Sequence, residues 1–111
     1  MIYLDHHATT PVDPRVLEAM RPYFCEEFGN PSSMHHFGAE AGRGLGEARE
    51  QVAAFLGARA ASEVIFTAGG SESDNLAIVG TLYAHPDKRH LNTTAVEHPA
   101  VLRLCRDLEK R

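Results

Sequence analysis

Hydrophobic positions along this chain follow helical spacing in some stretches and short continuous runs in others, and the switches between them mark out its elements. Ile2-Tyr3-Leu4 is a brief extended piece, followed by the polar run Asp5-His6-His7-Ala8-Thr9-Thr10-Pro11. Asp13-Pro14 then starts a helix, because a carboxylate suits the N-cap and proline suits the first helical position, where an N–H would go unpaired. Val16, Met20, Tyr23 and Phe24 continue at helical spacing until Gly29 stops the element. Gly29-Asn30-Pro31-Ser32-Ser33 reads as a loop. The spacing predicts a longer helix from Met34 to Leu56, with Ala41, Leu45, Ala48, Val52, Phe55 and Leu56 as a narrow apolar stripe. Gly42, Gly44 and Gly46 each weaken that helix by roughly 1 kcal/mol relative to alanine. In return they permit a neighbouring backbone to come close.

Beyond Leu56 the pattern changes. Val64-Ile65-Phe66-Thr67 is β-branched and aromatic, and is predicted to be a buried strand. Ala68-Gly69-Gly70 breaks it, and Ser71-Glu72-Ser73-Asp74 has the capping-box pattern ahead of a helix carrying Leu76, Val79 and Tyr83. His85-Pro86-Asp87 ends that helix. Leu91 to Val96 reads as a second strand. Glu97-His98-Pro99 opens a last helix that turns Val101, Leu102, Cys105 and Leu108 inward. Strand, helix, strand, helix is the opening of an α/β fold with a parallel sheet and right-handed crossovers. Two strands alone make a poor sheet, so the pattern predicts the front part of a longer protein.

Composition narrows the class without naming a function. At 111 residues, 43% hydrophobic and 23% charged, the chain resembles an ordinary soluble domain with no low-complexity tract. Its net charge of −4 argues against a nucleic-acid partner. No apolar run approaches the ~20 residues that span a bilayer, so no membrane association is expected. The first residues lack a signal-peptide pattern, and two cysteines are too few for a disulfide scaffold. A cytoplasmic location is the expectation.

Chemistry has four candidate places. Thr67-Ala68-Gly69-Gly70-Ser71 carries a strand into a helix start, which leaves backbone N–H groups free for an anion; the same spacing also suits a plain glycine turn. His98 sits at the carboxyl end of the second predicted strand, where ligands of open α/β sheets bind. There it serves either as a stacking or proton-exchanging ring or simply as a helix cap. The pairs His6-His7 and His35-His36 lack metal-ligand spacing, and no metal site is expected. Cys25 lies near Glu26 and Glu27, which oppose a thiolate, and Cys105 falls on an apolar stripe, so neither is expected to be a nucleophile.

Taken together, four segments resemble one family: Tyr3 to Pro11, Phe28 to Ser33, Phe66-Thr67-Ala68-Gly69-Gly70-Ser71-Glu72-Ser73-Asp74-Asn75, and Val96-Glu97-His98-Pro99-Ala100-Val101. They look like the N-terminal quarter of cysteine desulfurases of the NifS/IscS-like branch, among the class V, fold-type I aminotransferases. The resemblance covers nearly the whole chain. It implies a homodimeric transferase that uses pyridoxal 5'-phosphate to take sulfur from L-cysteine. The products are L-alanine and a protein persulfide, destined for an iron–sulfur scaffold or another sulfur-acceptor protein. By the same resemblance Gly70 and Ser71 hold the cofactor phosphate, where the family more often has Ala-Thr. His98 is the catalytic residue that stacks on the pyridine ring and takes part in proton transfer. Asp5 to Thr10 lines the substrate side, and Asn30 to Ser33 is a loop near the subunit interface.

The resemblance also implies a division of the chain. Residues 1–12 form an extended segment that packs on a C-terminal domain, and residues 13–111 are the first part of the large, cofactor-binding domain. A pyridoxal-phosphate enzyme needs a lysine for the cofactor and an acid for its ring nitrogen. The chain has only Lys88, in a turn, and Lys110, next to its last residue. In the family the lysine, the acid, the persulfide cysteine and the carboxylate-binding arginine all come later, so the sequence is read as an N-terminal fragment, inactive alone. The competing expectations are a selenocysteine lyase or another class V enzyme, and a non-catalytic fragment that pairs with full-length subunits.

Overall fold

The computed structural model of the chain describes residues 1–110. They form two compact units, Met1–Val64 and a second beginning at Ile65.

In the first unit, α1 spans Pro14–Met20 and starts where the sequence predicts. Asp13 accepts the backbone N–H of Arg15 at 2.8 Å, and the Arg15 guanidinium returns to the same carboxylate at 2.7 Å. That side-chain bond, helped by the backbone one, holds the Asp13 carboxyl below its ordinary range. The predicted run to Gly29 is interrupted. Pro22 has no N–H to give the preceding turn, so the chain starts again as the single turn α2, Pro22–Cys25.

The long helix, α3, runs His36–Leu56. It begins two residues after the predicted start, because His35 takes the cap position and its Nδ1 accepts the Gly38 N–H at 3.4 Å. Gly57 closes it with φ 71°, in the left-handed region, and Ala58 N–H reaches back to the Ala53 carbonyl at 2.9 Å. Replacing Gly57 with alanine is expected to cost about 1–2 kcal/mol, since a Cβ crowds the next carbonyl there. A fall in the thermal midpoint checks it.

The buried face of α3 keeps Ala41 of the predicted stripe and otherwise differs from it. Gly38, Ala41, Gly44 and Ala53 are buried, while Leu45, Ala48, Phe55 and Leu56 are exposed and Val52 is half-buried. Small residues occupy this face because other groups lie directly against it. A Cβ on Gly38 would overlap the Ser33 carbonyl, and one on Gly44 would lie 2.8 Å from the Tyr23 ring. Gly42 and Gly46 face no such approach. A 3₁₀ turn, Ala61–Glu63, packs against α3 and delivers Val64 into the small core, where the Arg49 guanidinium donates to the Val64 carbonyl.

The second unit holds α4, Gly70–Ala84, and α5, Pro99–Glu109, packed on each other. Along α5, Val101, Leu102, Cys105 and Leu108 are half-buried, on the side the sequence predicts. On α4 only Val79 follows prediction; Leu76 and Tyr83 are exposed.

Neither predicted strand forms, and there is no strand among the described residues. Val64 has extended dihedrals, φ −93° and ψ 123°, but an extended segment becomes a strand only when a neighbour supplies ladder hydrogen bonds. Neither Val64 to Thr67 nor Leu91 to Val96 is part of a strand ladder among the described residues. Ile65 and Phe66 are correspondingly exposed, where a buried strand was predicted. Among the described residues no helix is long and apolar enough to cross a membrane.

Candidate functional site

The glycine turn and the helix it feeds are built from short-range bonds. Gly69 is the N-cap of α4, Gly70 its first residue and Ser71 its second. The helix therefore starts two residues earlier than the predicted Ser71–Asp74 capping box, which does not form, and Glu72, three after Gly69, is an acid that reaches back beyond the cap. Its carboxylate accepts the Ala68 N–H at 2.7 Å. Thr67 and Ser73 hydroxyls meet at 2.6 Å, and each also reaches the Gly69 carbonyl, at 3.2 and 3.3 Å. Asn75 donates to the Ser71 carbonyl at 2.7 Å. Sequence reading missed Thr67, Glu72 and Ser73 as the residues that shape this turn; the signal was an acid three positions after a glycine rather than after a serine.

These bonds leave the start of α4 open. No side chain caps the helix, and the Ser71 hydroxyl makes no hydrogen bond among the described residues. A Cβ at Gly69 or Gly70 would meet nothing within 4 Å. The exposed Gly70 and Ser71 thus stand at the positive end of a 15-residue helix, with first-turn N–H groups that no side chain caps and a hydroxyl beside them in sequence. That set of donors fits a phosphate or carboxylate. The Glu72 charge stands nearby, but its oxygen is occupied by Ala68.

His98 is the N-cap of α5. Its ring nitrogen Nδ1 accepts the Ala100 N–H at 3.2 Å, and Pro99 fills the first helical position. Beside it, Thr94 donates to the Glu97 carboxylate at 2.9 Å. No hydrogen bond joins His98 to Ser71. A hollow of about 420 Å³ lies between α4 and α5, lined by Ile78, Val101, Cys105 and parts of the Leu91–Glu97 connection, and includes neither residue. Cys105 is half-buried along this hollow rather than enclosed, and Cys25 is exposed at the end of α2.

In the first unit, Asp5 to Thr10 is a turn tied by Tyr3, whose hydroxyl donates to the Asp5 and Thr9 carbonyls at 3.0 and 3.2 Å. His6 stands edge-on to Tyr3, ring centres 4.9 Å apart, and its Nδ1 lies 3.1 Å from the Thr10 hydroxyl. Asn30 to Ser33 is an Asx turn in which Ser32 N–H donates to the Asn30 side chain at 2.9 Å. His35 and His36 ring the Phe37 side chain, which stacks on Phe28 at 6.0 Å. Among the described residues no group of three histidine, cysteine or acidic side chains is placed to hold a metal ion.

With this geometry in hand, comparison with known proteins identifies the class. The family model for class-V aminotransferases matches residues 2–111, and the chain belongs to that family. Among curated proteins it is 58% identical over 109 residues to the cysteine desulfurase of Trichormus azollae. It is 55% identical over 109 residues to that of Gluconacetobacter diazotrophicus, and 52% over 104 residues to the cysteine desulfurase NifS of Azotobacter vinelandii. These alignments take in 98%, 98% and 94% of this chain but 27%, 27% and 26% of the relatives, so the chain spans about a quarter of their length. A solved structure titled NifS-like protein superposes with a TM-score of 0.89 at 41% identity, covering 98% of this chain and 30% of that one.

Proposed function

We propose that this chain is the N-terminal part of a cysteine desulfurase that converts L-cysteine to L-alanine and a protein persulfide. The observation that carries the reading is the 58% identity, over 109 residues, to a relative named for that activity. In this reading residues 13–111 open the large domain of a fold-type I enzyme, and residues 1–12 pack on its C-terminal domain. The exposure of Ile65 supports it, because an apolar, β-branched side chain there is what neighbouring strands of a completed sheet would cover. A homodimer in the cytoplasm, passing sulfur to an iron–sulfur scaffold or another acceptor protein, belongs to the same proposal.

The cofactor of this class is pyridoxal 5'-phosphate, and the open start of α4 fits its phosphate. Gly70 and Ser71 would hold that group through backbone N–H and hydroxyl, and His98 would offer its flat ring to the pyridine. When bound, the cofactor supplies an electron sink that lets the carbon–sulfur bond of cysteine break. Gly70 and Ser71 fix the phosphate end so that the reacting end is oriented, with Thr67, Glu72 and Ser73 keeping the turn in shape before the ligand arrives. The lysine that engages the cofactor and the cysteine that receives sulfur are assigned to the remainder of the enzyme.

The direct test is the full-length protein with L-cysteine and reductant: equimolar alanine and sulfide are expected. Release of selenide from L-selenocysteine without sulfide from cysteine would assign a selenocysteine lyase instead. Within that protein, Ser71→Ala removes one hydroxyl and leaves the helix N–H groups. A hydrogen bond to a charged group contributes roughly 1.5–3 kcal/mol, so cofactor affinity is expected to fall by about 10- to 100-fold. Equilibrium dialysis against pyridoxal phosphate measures it, and an unchanged affinity would remove Ser71 from the phosphate site.

A further inference from the structure

We propose that His98 is held as the Nε2–H form of its neutral ring by the Ala100 backbone amide, so that it meets a ligand with a flat face and one N–H donor and does not relay protons through Nδ1. The inference rests on the placement of His98 beside the cofactor proposed above; its own evidence is local.

His98 has extended dihedrals, φ −55° and ψ 144°, and Pro99 follows it. Proline fixes its own φ and has no N–H, so the first backbone donor the imidazole can reach is Ala100. That N–H lies 3.2 Å from Nδ1 and points at it. A ring nitrogen that accepts a hydrogen bond keeps its lone pair in the ring plane and carries no proton, which places the proton of the neutral ring on Nε2. The carboxylate of the preceding residue, Glu97, is engaged by the Thr94 hydroxyl at 2.9 Å. No second hydrogen bond reaches the His98 ring among the described residues, so Nε2–H is left to donate outward. Taking a proton at Nδ1 and passing another from Nε2 would first require the Ala100 bond to open. His35 repeats the device at α3, where the Gly38 N–H lies 3.4 Å from its Nδ1.

The test is long-range proton–nitrogen NMR of the full-length protein labelled with ¹⁵N-histidine, at a mildly alkaline pH where rings are neutral. The His98 signal is assigned by its loss in His98→Asn. A single Nε2–H form is expected, with and without pyridoxal phosphate, and Ala100→Pro, which deletes the amide proton, is expected to give a mixture of both forms. A wild-type ring that is Nδ1–H or mixed overturns the proposal, as does a single Nε2–H form that survives in Ala100→Pro. Should that variant fail to fold, thermal midpoints replace it. Asparagine at 98 keeps an acceptor for Ala100 and is expected to hold the wild-type midpoint, whereas His98→Ala lowers it; equal lowering by both overturns the cap. An Nε2–H ring in a protein that releases no sulfide from cysteine defeats the functional reading and leaves this one standing.

Discussion

Replacing His98 with alanine in the full-length protein is expected to slow cysteine turnover by about 10²–10³-fold, the loss that follows removal of one preorganised donor in an active site. The substitution deletes three things at once: a flat ring, an Nε2–H donor and the cap on the Ala100 amide. Loss of an N-cap costs about 1 kcal/mol of stability, too little to account for such a drop at temperatures well below unfolding. His98→Asn separates the contributions, because its side-chain oxygen still caps α5 but the ring is gone. Turnover of the asparagine variant should therefore fall as far as that of the alanine variant. If it kept the parent rate, His98 would be a helix cap and nothing more.

The second large effect is on stability. Gly38→Val is expected to destabilise the first unit by about 1–3 kcal/mol or more, the usual cost of overpacking. A Cβ on Gly38 overlaps the Ser33 carbonyl and sits 2.7 Å from the Ser33 Cβ and 2.8 Å from the Asn30 carbonyl. Two of the three obstacles are backbone, held by the Asx turn at Asn30, so neither yields as a flexible side chain would. Gly46, two turns along the same helix, provides the control. Nothing lies within 4 Å of its Cβ position, and Gly46→Ala is expected to gain up to about 1 kcal/mol from helix propensity. Denaturant midpoints of the two variants should move in opposite directions. A common direction would mean that the close approach at Gly38 does not govern packing there.

What could be read from the sequence was what residues within about four positions decide. Asp13-Pro14 and His98-Pro99 start helices because cap and first-turn donor are near neighbours. Pro22 carried an equally local signal for the break between α1 and α2, overridden by the apolar spacing around it. The face of α3 was misjudged because periodicity ranks residues by apolarity, whereas Gly38 and Gly44 are buried for their size, against a loop and a tyrosine that spacing does not place. The two strand predictions identified β-prone composition at Val64 to Thr67 and Leu91 to Val96. Pairing depends on backbone elsewhere, and composition carries no information about where that backbone is. At the candidate site, spacing marked Gly70, Ser71 and His98 as candidates but left a plain glycine turn and a helix cap open, and their cofactor roles came from the family resemblance. The clasp of Thr67, Glu72 and Ser73 was not marked, since it needed the true register of the α4 cap.

In the central proposal this segment would supply cofactor contacts to a longer desulfurase, with the covalent chemistry assigned to the rest of that protein. The segment's two lysines have other settings. Lys88 closes a turn through its N–H to the His85 carbonyl, and the exposed Lys110 pairs with Asp107 at 3.3 Å. The most direct measurement compares the isolated 111-residue chain with the full-length protein. Each is mixed with pyridoxal phosphate and gel-filtered. Retained visible absorbance is then recorded, together with sulfide release from L-cysteine in the presence of reductant. The full-length protein is expected to keep the cofactor and release sulfide, and the isolated chain to do neither. A stoichiometric chromophore retained by the isolated chain, together with sulfide release, would contradict the account, and so would a full-length protein that released no sulfide.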